Sequence, residues 1–277
     1  MSDSYLKNVM TGFGPNTLIQ TEFDGLKLFK NINLGDTLSD YSYIIGILKF
    51  KNTGKIYNFK NGIYLHENYK YNNISIKNHP DAVLTTHKPE YIYNIITTTG
   101  RLTIKDLILN DFSISTNIFY NQTINSLKLS FLNKDINSLT VSHGSKFLAQ
   151  GFSGETLIVV SSNINKKLKN LNINDYINED DLIVGVIDLS PDFFTAYRYM
   201  DTIISSNTKI YENDIWKSVE SSSCIRMPAP LQLKNIITEK GMLICNGEVF
   251  MDFLEVRDEF IKKRVDEILQ ASVAEGI

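Results

Sequence analysis

Side chains able to serve as nucleophiles, bases or metal ligands are few in this sequence and stand apart, with four histidines and two cysteines in all. Cys224 closes the run Ser221-Ser222-Ser223-Cys224, where a thiol could act as an exposed nucleophile. A thiol of that kind needs a neighbouring base. No histidine follows Cys224, although His143 precedes it. Thr11 could offer a hydroxyl, but a lone threonine before a turn is ordinarily a turn or strand residue. His79 and His87 lie ahead of the strand around Thr97 and could bring an imidazole to it; solvated histidines in a proline-containing loop are the plainer reading. Cys224 and Cys245 form neither a metal-ligand spacing nor a disulfide framework, so buried free thiols are expected, with a single bridge between them the alternative; no metal and no cofactor are expected. Lys166-Lys167-Leu168-Lys169 reads as a solvated basic face. Trp216 and the tyrosines read as core or interface.

Composition narrows the class. A chain of 277 residues with 43% apolar content has enough material for one large or two ordinary packed domains. The balance of 28 Lys+Arg against 31 Asp+Glu gives a net charge of −3, which creates no general field for nucleic acid. No run approaches the ~20 apolar residues of a membrane helix, and the N-terminus lacks the apolar core of a secretory signal. A soluble protein made in a cytoplasm is expected, without membrane or nucleic-acid partners.

The sequence repeats itself once. Gly12-Phe13-Gly14-Pro15-Asn16-Thr17-Leu18-Ile19 returns as Gly151-Phe152-Ser153-Gly154-Glu155-Thr156-Leu157-Ile158, 139 positions on, with five of eight residues identical. At the same offset Ile45-Gly46-Ile47 becomes Val184-Gly185-Val186. Asn94-Ile95-Ile96-Thr97-Thr98-Thr99-Gly100 returns as Asn235-Ile236-Ile237-Thr238-Glu239-Lys240-Gly241 at an offset of 141, which Asp111-Phe112 and Asp252-Phe253 share. Lys55-Ile56-Tyr57 pairs with Lys209-Ile210-Tyr211 at 154, implying extra residues near 191–205 in the second copy and a loss around Pro228. Collinear blocks of this kind point to two copies of one module.

The elements that must position these blocks read as short strands. Residues 43–50, 156–160 and 182–189 are rich in β-branched and aromatic residues. Asn61-Gly62, Asp24-Gly25 and Asn246-Gly247 supply hairpin turns, because a type I′ turn needs positive φ at both central residues. The exception is the C-terminus, where Val256, Phe260, Ile261, Val265, Ile268 and Leu269 fall on one helical face with i,i+4 ion pairs outside.

The opening block resembles the start of Hedgehog/intein (Hint) domains, where Cys-Phe, a small turn and Thr-hydrophobic-hydrophobic begin the module. The strand ending at Thr97-Thr98-Thr99-Gly100, and its counterpart at Gly241, resemble the Thr-x-x-His strand of that family. The resemblance implies a self-cleaving β module. Its first residue attacks the preceding carbonyl, and the histidine protonates the leaving amide nitrogen. Here Gly12 and Gly151 stand in the nucleophile's place and Gly100 and Gly241 in the histidine's. Glycine can do neither task. The sequence also ends Glu275-Gly276-Ile277 without the His-Asn pair that releases an intein's C-terminal partner.

The expectation is therefore an all-β protein of two Hint-like modules, residues 1–118 and 140–277, joined by a connecting segment 119–139 and closed by a C-terminal helix. It is read as a non-enzymatic structural or assembly protein, a virus or phage particle component made in the host cytoplasm. Val256, Phe260, Ile261, Val265 and Leu269 are the candidates for contact with protein partners in a homo- or hetero-oligomeric assembly. An autoprocessing protease with a non-standard nucleophile and a cytoplasmic cellular adaptor are the alternatives.

Overall fold

The computed structural model describes residues 10–112, 150–160, 164–178, 180–206, 208–212 and 215–252. They form strands and short 3-10 turns. In the first half the strands are β1 (Leu18–Thr21), β2 (Gly25–Leu28), β3 (Ile44–Lys51), β4 (Ile56–Phe59), β5 (Ile63–His66), β6 (Lys70–Tyr71), β7 (Ile74–Ser75), β8 (Ala82–Leu84), β9 (Tyr91–Thr97), β10 (Arg101–Ile104) and β11 (Leu107–Asn110). In the second they are β12 (Phe152–Ser153), β13 (Leu157–Val160), β14 (Ile164–Lys167), β15 (Tyr176–Ile177), β16 (Asp181–Leu189), β17 (Ala196–Tyr199), β18 (Thr202–Ser205), β19 (Lys209–Glu212), β20 (Ile215–Ser218), β21 (Ile225–Met227), β22 (Leu233–Thr238), β23 (Met242–Cys245) and β24 (Glu248–Met251). The all-β expectation holds for these residues. The proposed boundaries at 118 and 140 and the stripe Val256, Phe260, Ile261, Val265 and Leu269 lie outside the described residues. Among the described residues no helix is long and apolar enough to cross a membrane.

Several contacts recur in the two halves. Phe29 N donates to Thr17 O and Leu168 N to Thr156 O, each at 2.8 Å, opening matching 3-10 turns. Asp36 Oδ2 accepts from Asn33 N at 2.9 Å and from Lys27 Nζ at 3.0 Å; Asp175 Oδ2 accepts from Asn172 N at 2.9 Å and from Lys166 Nζ at 2.8 Å. β3 pairs β9 with a bulge between Ile44 and Gly46, and β16 pairs β22 with a bulge between Ile183 and Gly185.

One sequence alignment is corrected by these contacts. Phe13 bridges Tyr93 and Leu65, while Phe152 pairs Lys234 and Ile204, so β18 stands where β5 stands. Tyr57 lies opposite Leu65 and Tyr197 opposite Ile204. Lys55-Ile56-Tyr57 thus matches Thr195-Ala196-Tyr197, and the match to Lys209-Ile210-Tyr211 was a coincidence of three common residue types. The added residues of the second half fall mainly in the hairpin β19–β20, which is four residues per strand where β6–β7 is two.

The halves meet along β3 and β16. Their antiparallel register sets Gly185 opposite Phe50, Leu189 opposite Gly46, and Ile187 opposite Leu48. Because each residue of the second strand lies 139 positions beyond its counterpart in the first, this register is symmetric about the Leu48–Ile187 pair. An approximate two-fold axis passes there, and β9-β3-β16-β22 becomes one continuous sheet. Glycine is needed at both off-centre points. A Cβ on Gly46 would lie 2.9 Å from Ile96 Cδ1 and 3.1 Å from Leu189 Cδ2; one on Gly185 would lie 2.8 Å from Phe50 Cδ1. Three cores result: one within each half, and a third that gathers Leu48, Phe50, Ile92 and Ile96 with Ile187, Leu189, Leu233 and Ile237 across the seam. Burying side chains of this size stabilises by about 2 kcal/mol each at most.

Candidate functional site

Each half carries a buried centre around the glycine that opens its repeat. In the first half the chain runs into a ladder with β9: Phe13 N donates to Tyr93 O at 2.7 Å and Tyr93 N to Phe13 O at 2.9 Å. That approach leaves no room at Gly12, where a Cβ would sit 2.3 Å from Tyr93 O. Gly151 is less confined, its Cβ position lying 3.1 Å from Leu189 Cδ1 and 3.6 Å from Lys234 O. Gly100 and Gly241 sit in tight turns at φ of 75° and 83°, a left-handed conformation that a histidine adopts only with strain.

The carbonyl preceding each glycine is held by a buried amide. Asn94 Nδ2 donates to Thr11 O at 3.2 Å, and Asn235 Nδ2 to Gln150 O at 3.1 Å. Each asparagine is fixed from its other end, since Oδ1 accepts the N–H of the next residue, Ile95 at 2.9 Å or Ile236 at 2.8 Å. Below them a buried carboxylate pins the end of the strand: Asp111 Oδ2 accepts from Thr97 N at 2.7 Å, Asp252 Oδ2 from Thr238 N at 2.8 Å. Thr97 Oγ1 also donates to Asp111 Oδ2 at 3.2 Å, and Thr238 Oγ1 accepts from Gly241 N at 3.0 Å. These six side chains were visible in the sequence only as recurring letters. What marked them was the return of Asn and Asp at one shared offset, which the family pattern gives no role.

The third wall differs between the halves. His66 and Ser205 occupy the same place, their N–H groups donating to Gly12 O at 2.9 Å and Gly151 O at 2.8 Å. In the second half the Gly151 N–H donates to Ser205 Oγ at 2.7 Å and Thr208 Oγ1 at 3.2 Å. In the first, His66 is buried beneath the turn at Gly54, and its Nδ1 accepts from Asn68 N at 3.3 Å. Burial lowers its pKa to about 4, against a smaller opposing pull from Glu67. Tyr69, where the second half has Thr208, donates to Asn110 O at 2.6 Å; burial, then the charge of Asp111, raises its pKa.

The other singled-out residues lie elsewhere. Thr11 is buried and contributes its carbonyl. His79 packs its ring on Phe59 at 4.9 Å and Tyr71 at 5.8 Å, and His87 is exposed in a loop. Cys224 is half-buried, with Ser222 Oγ donating to its sulfur at 2.8 Å; Cys245 is buried, which pushes its thiol pKa up. The basic run is ion-paired, Lys166 to Asp175 and both Lys167 and Lys169 to Glu155, whose pKa the two lysines pull down to about 2. Trp216 lies on β20 opposite Tyr211. Among the described residues no group of three or more His, Cys, Asp or Glu is arranged to hold a metal ion.

No family model matches this chain, and no curated protein matches it. Among solved structures, a DnaB intein from Synechocystis sp. PCC 6803 is similar over 38% of this chain and 99% of its own, with 14% identity and a TM-score of 0.27. A score this low marks a weak likeness of fold and transfers no residue role.

Proposed function

We propose that this chain is a duplicated Hint-like protein that has given up self-cleavage and acts by binding other proteins, as a structural or assembly component. The observation that carries the reading is at the glycines. Gly12 faces a backbone oxygen where no side chain fits, and Gly100 and Gly241 hold turn conformations that disfavour the family's histidine. A peptide whose carbonyl is still gripped by an amide, but whose nucleophile and acid are missing, is a structural joint. A virus or phage particle remains the assembly proposed from composition, tested by whether the protein is found in purified particles.

One observation favours the autoprocessing alternative: Ser205 and Thr208 bring hydroxyls to the Gln150–Gly151 peptide. Their polarity argues against it. The amide N–H donates to Ser205 Oγ, so the hydroxyl lies near the peptide plane as an acceptor, whereas attack requires approach to the carbonyl face and a proton delivered to the nitrogen. Intact mass after incubation with thiols or hydroxylamine separates the two. The full chain is expected to persist; fragments ending at Thr11 or Gln150 would overturn the inert reading. Gly151→Cys alone is expected to leave the mass unchanged, because no acid stands at Gly241.

A further inference from the structure

The seam between the halves pairs each residue with the counterpart of a β3 residue. Across it Leu48 stands opposite Ile187, Phe50 opposite Gly185, and Gly46 opposite Leu189. In the repeat, Gly185 is the counterpart of Gly46, Ile187 of Leu48 and Leu189 of Phe50. A second copy of β3 laid on the first in this register therefore brings the same kinds of residue, Leu48 opposite Leu48 and Phe50 opposite Gly46 on both sides. Size permits it as well. Phe50 already lies against a glycine, its Cδ1 2.8 Å from where a Cβ on Gly185 would stand; Gly46 is as bare, with Leu189 Cδ2 3.1 Å from its Cβ position. Ile92 and Ile96 answer Leu233 and Ile237 in the shared core, so the core too is built of like on like.

Polar groups do not oppose the exchange. Lys49 Nζ lies 3.8 Å from the ring centre of Tyr91, and Asp188 Oδ1 accepts from Gln232 Nε2 at 3.3 Å, so each charge is held within its own half. Between two first halves Lys49 would face Ile47, not the other Lys49. Lys51, in the place of Ser190, has the N–H that Ser190 gives to Ile45 O. What such a pairing loses is the exposed bond from Lys51 Nζ to Asn174 Oδ1, since Gly35 stands in the place of Asn174.

We infer that the β3 edge is a self-association surface whose other partner is a second copy of this chain. When the second half is displaced, two first halves pair β3 to β3 about Leu48 and rebuild the seam's core between them. In the closed chain the tethered half wins, because a linked partner outcompetes a free copy. β16 carries the same pattern, so an opened chain offers two such edges, one in each half. This partner follows from the seam itself and does not depend on the assembly role proposed above.

The register supplies the test. Ser190 N donates to Ile45 O at 2.8 Å in continuation of the ladder, so by alternation Leu48–Ile187 is a non-hydrogen-bonded pair, the kind whose side chains lie closest. Thiols at position 48 of two copies would meet there within disulfide reach. The full chain is made with its own cysteines replaced (Cys224→Ser, Cys245→Ala) and with Leu48→Cys, either closed or opened by Gly185→Val. It is oxidised mildly at about 100 µM, below the roughly millimolar effective concentration typical of linked partners. Intact mass without reductant is expected to show a linked dimer in the opened chain, roughly tenfold more than in the closed one. Ile47→Cys in place of Leu48→Cys is the register control. Position 47 faces 49 of the other copy, and two thiols at 47 lie beyond the Cα separation of about 6.8 Å that a disulfide spans, so linkage should drop roughly tenfold. Ile187→Asp is a second opener, acting through a charge opposite Leu48 instead of a clash with Phe50. A linked dimer that is absent with both openers, equally abundant in the closed chain, or equally abundant through position 47 would each overturn the inference.

Discussion

Gly12 and Gly151 look interchangeable as letters, yet the two positions are under different constraints. A methyl group on Gly12 meets a backbone oxygen that belongs to the ladder with β9, which cannot move without breaking Phe13–Tyr93 pairing. On Gly151 it meets the flexible end of Leu189. Gly12→Ala should therefore destabilise by about 3 kcal/mol or more and Gly151→Ala by about 1 kcal/mol or less, compared by urea unfolding. His66 gives a pH signature. Its imidazole is neutral in the fold down to about pH 4, while the unfolded chain binds the proton from about pH 6.5, its ordinary pKa. Between those values the unfolded state holds more protons, so stability falls as pH falls, by at most about 3 kcal/mol. His66→Ser, which installs the second half's residue, should flatten that part of the stability curve; an unchanged curve would show that burial of this imidazole is not what titrates. Sequence pattern does not single out His66, since nothing local says that its strand end turns inward beneath Gly54.

At the scale of elements, strand cores were legible and turns only in part. Residues 43–50 and 182–189 appear within one residue as β3 and β16, because alternation of apolar positions survives wherever one face is buried. Asn246-Gly247 forms the expected two-residue turn, with φ of 51° and 82°. Asn61-Gly62 and Asp24-Gly25 instead close three-residue loops, as Phe59 opposite Ile63 and Thr21 opposite Gly25 require. Lys105-Asp106, at the place of Asn246-Gly247, makes the same tight turn with φ of 48° and 65° without any glycine. Side chains other than Gly, Asn and Asp are strained there, so no turn signal was readable. Lys105→Asn with Asp106→Gly should raise stability by about 1 kcal/mol, seen as a higher Tm. A fall would mean that Lys105, whose Nζ donates to Asn61 O at 2.6 Å, stabilises more through that bond than its backbone strain removes.

For the whole molecule, the arrangement of the halves was hidden because an alternating strand reads the same whether its free edge meets water or another strand. What decides it is self-complementarity. The pairs of β3 and β16 exchange about Leu48–Ile187, Gly185–Phe50 on one side answering Gly46–Leu189 on the other, so each half presents the same edge and covers the other's. The cross-seam bond from Ser190 N to Ile45 O at 2.8 Å and that from Lys51 Nζ to Asn174 Oδ1 at 2.7 Å extend this contact beyond the ladder. A seam that joins two sheets and shares a core should not depend on the chain that connects its sides. Cutting the folded protein at a protease site inserted between residues 113 and 149 should therefore leave two fragments that co-elute as one species and part only in denaturant. Gly185→Val drives a branched side chain into Phe50, and in that background the cut fragments should separate under native conditions. Because Gly185 touches Phe50 across the seam and Ile237 within its own half, circular dichroism of the separated fragments supplies the control: two folded halves that no longer associate would place the lost energy at the seam, whereas an unfolded second half would place it inside the module.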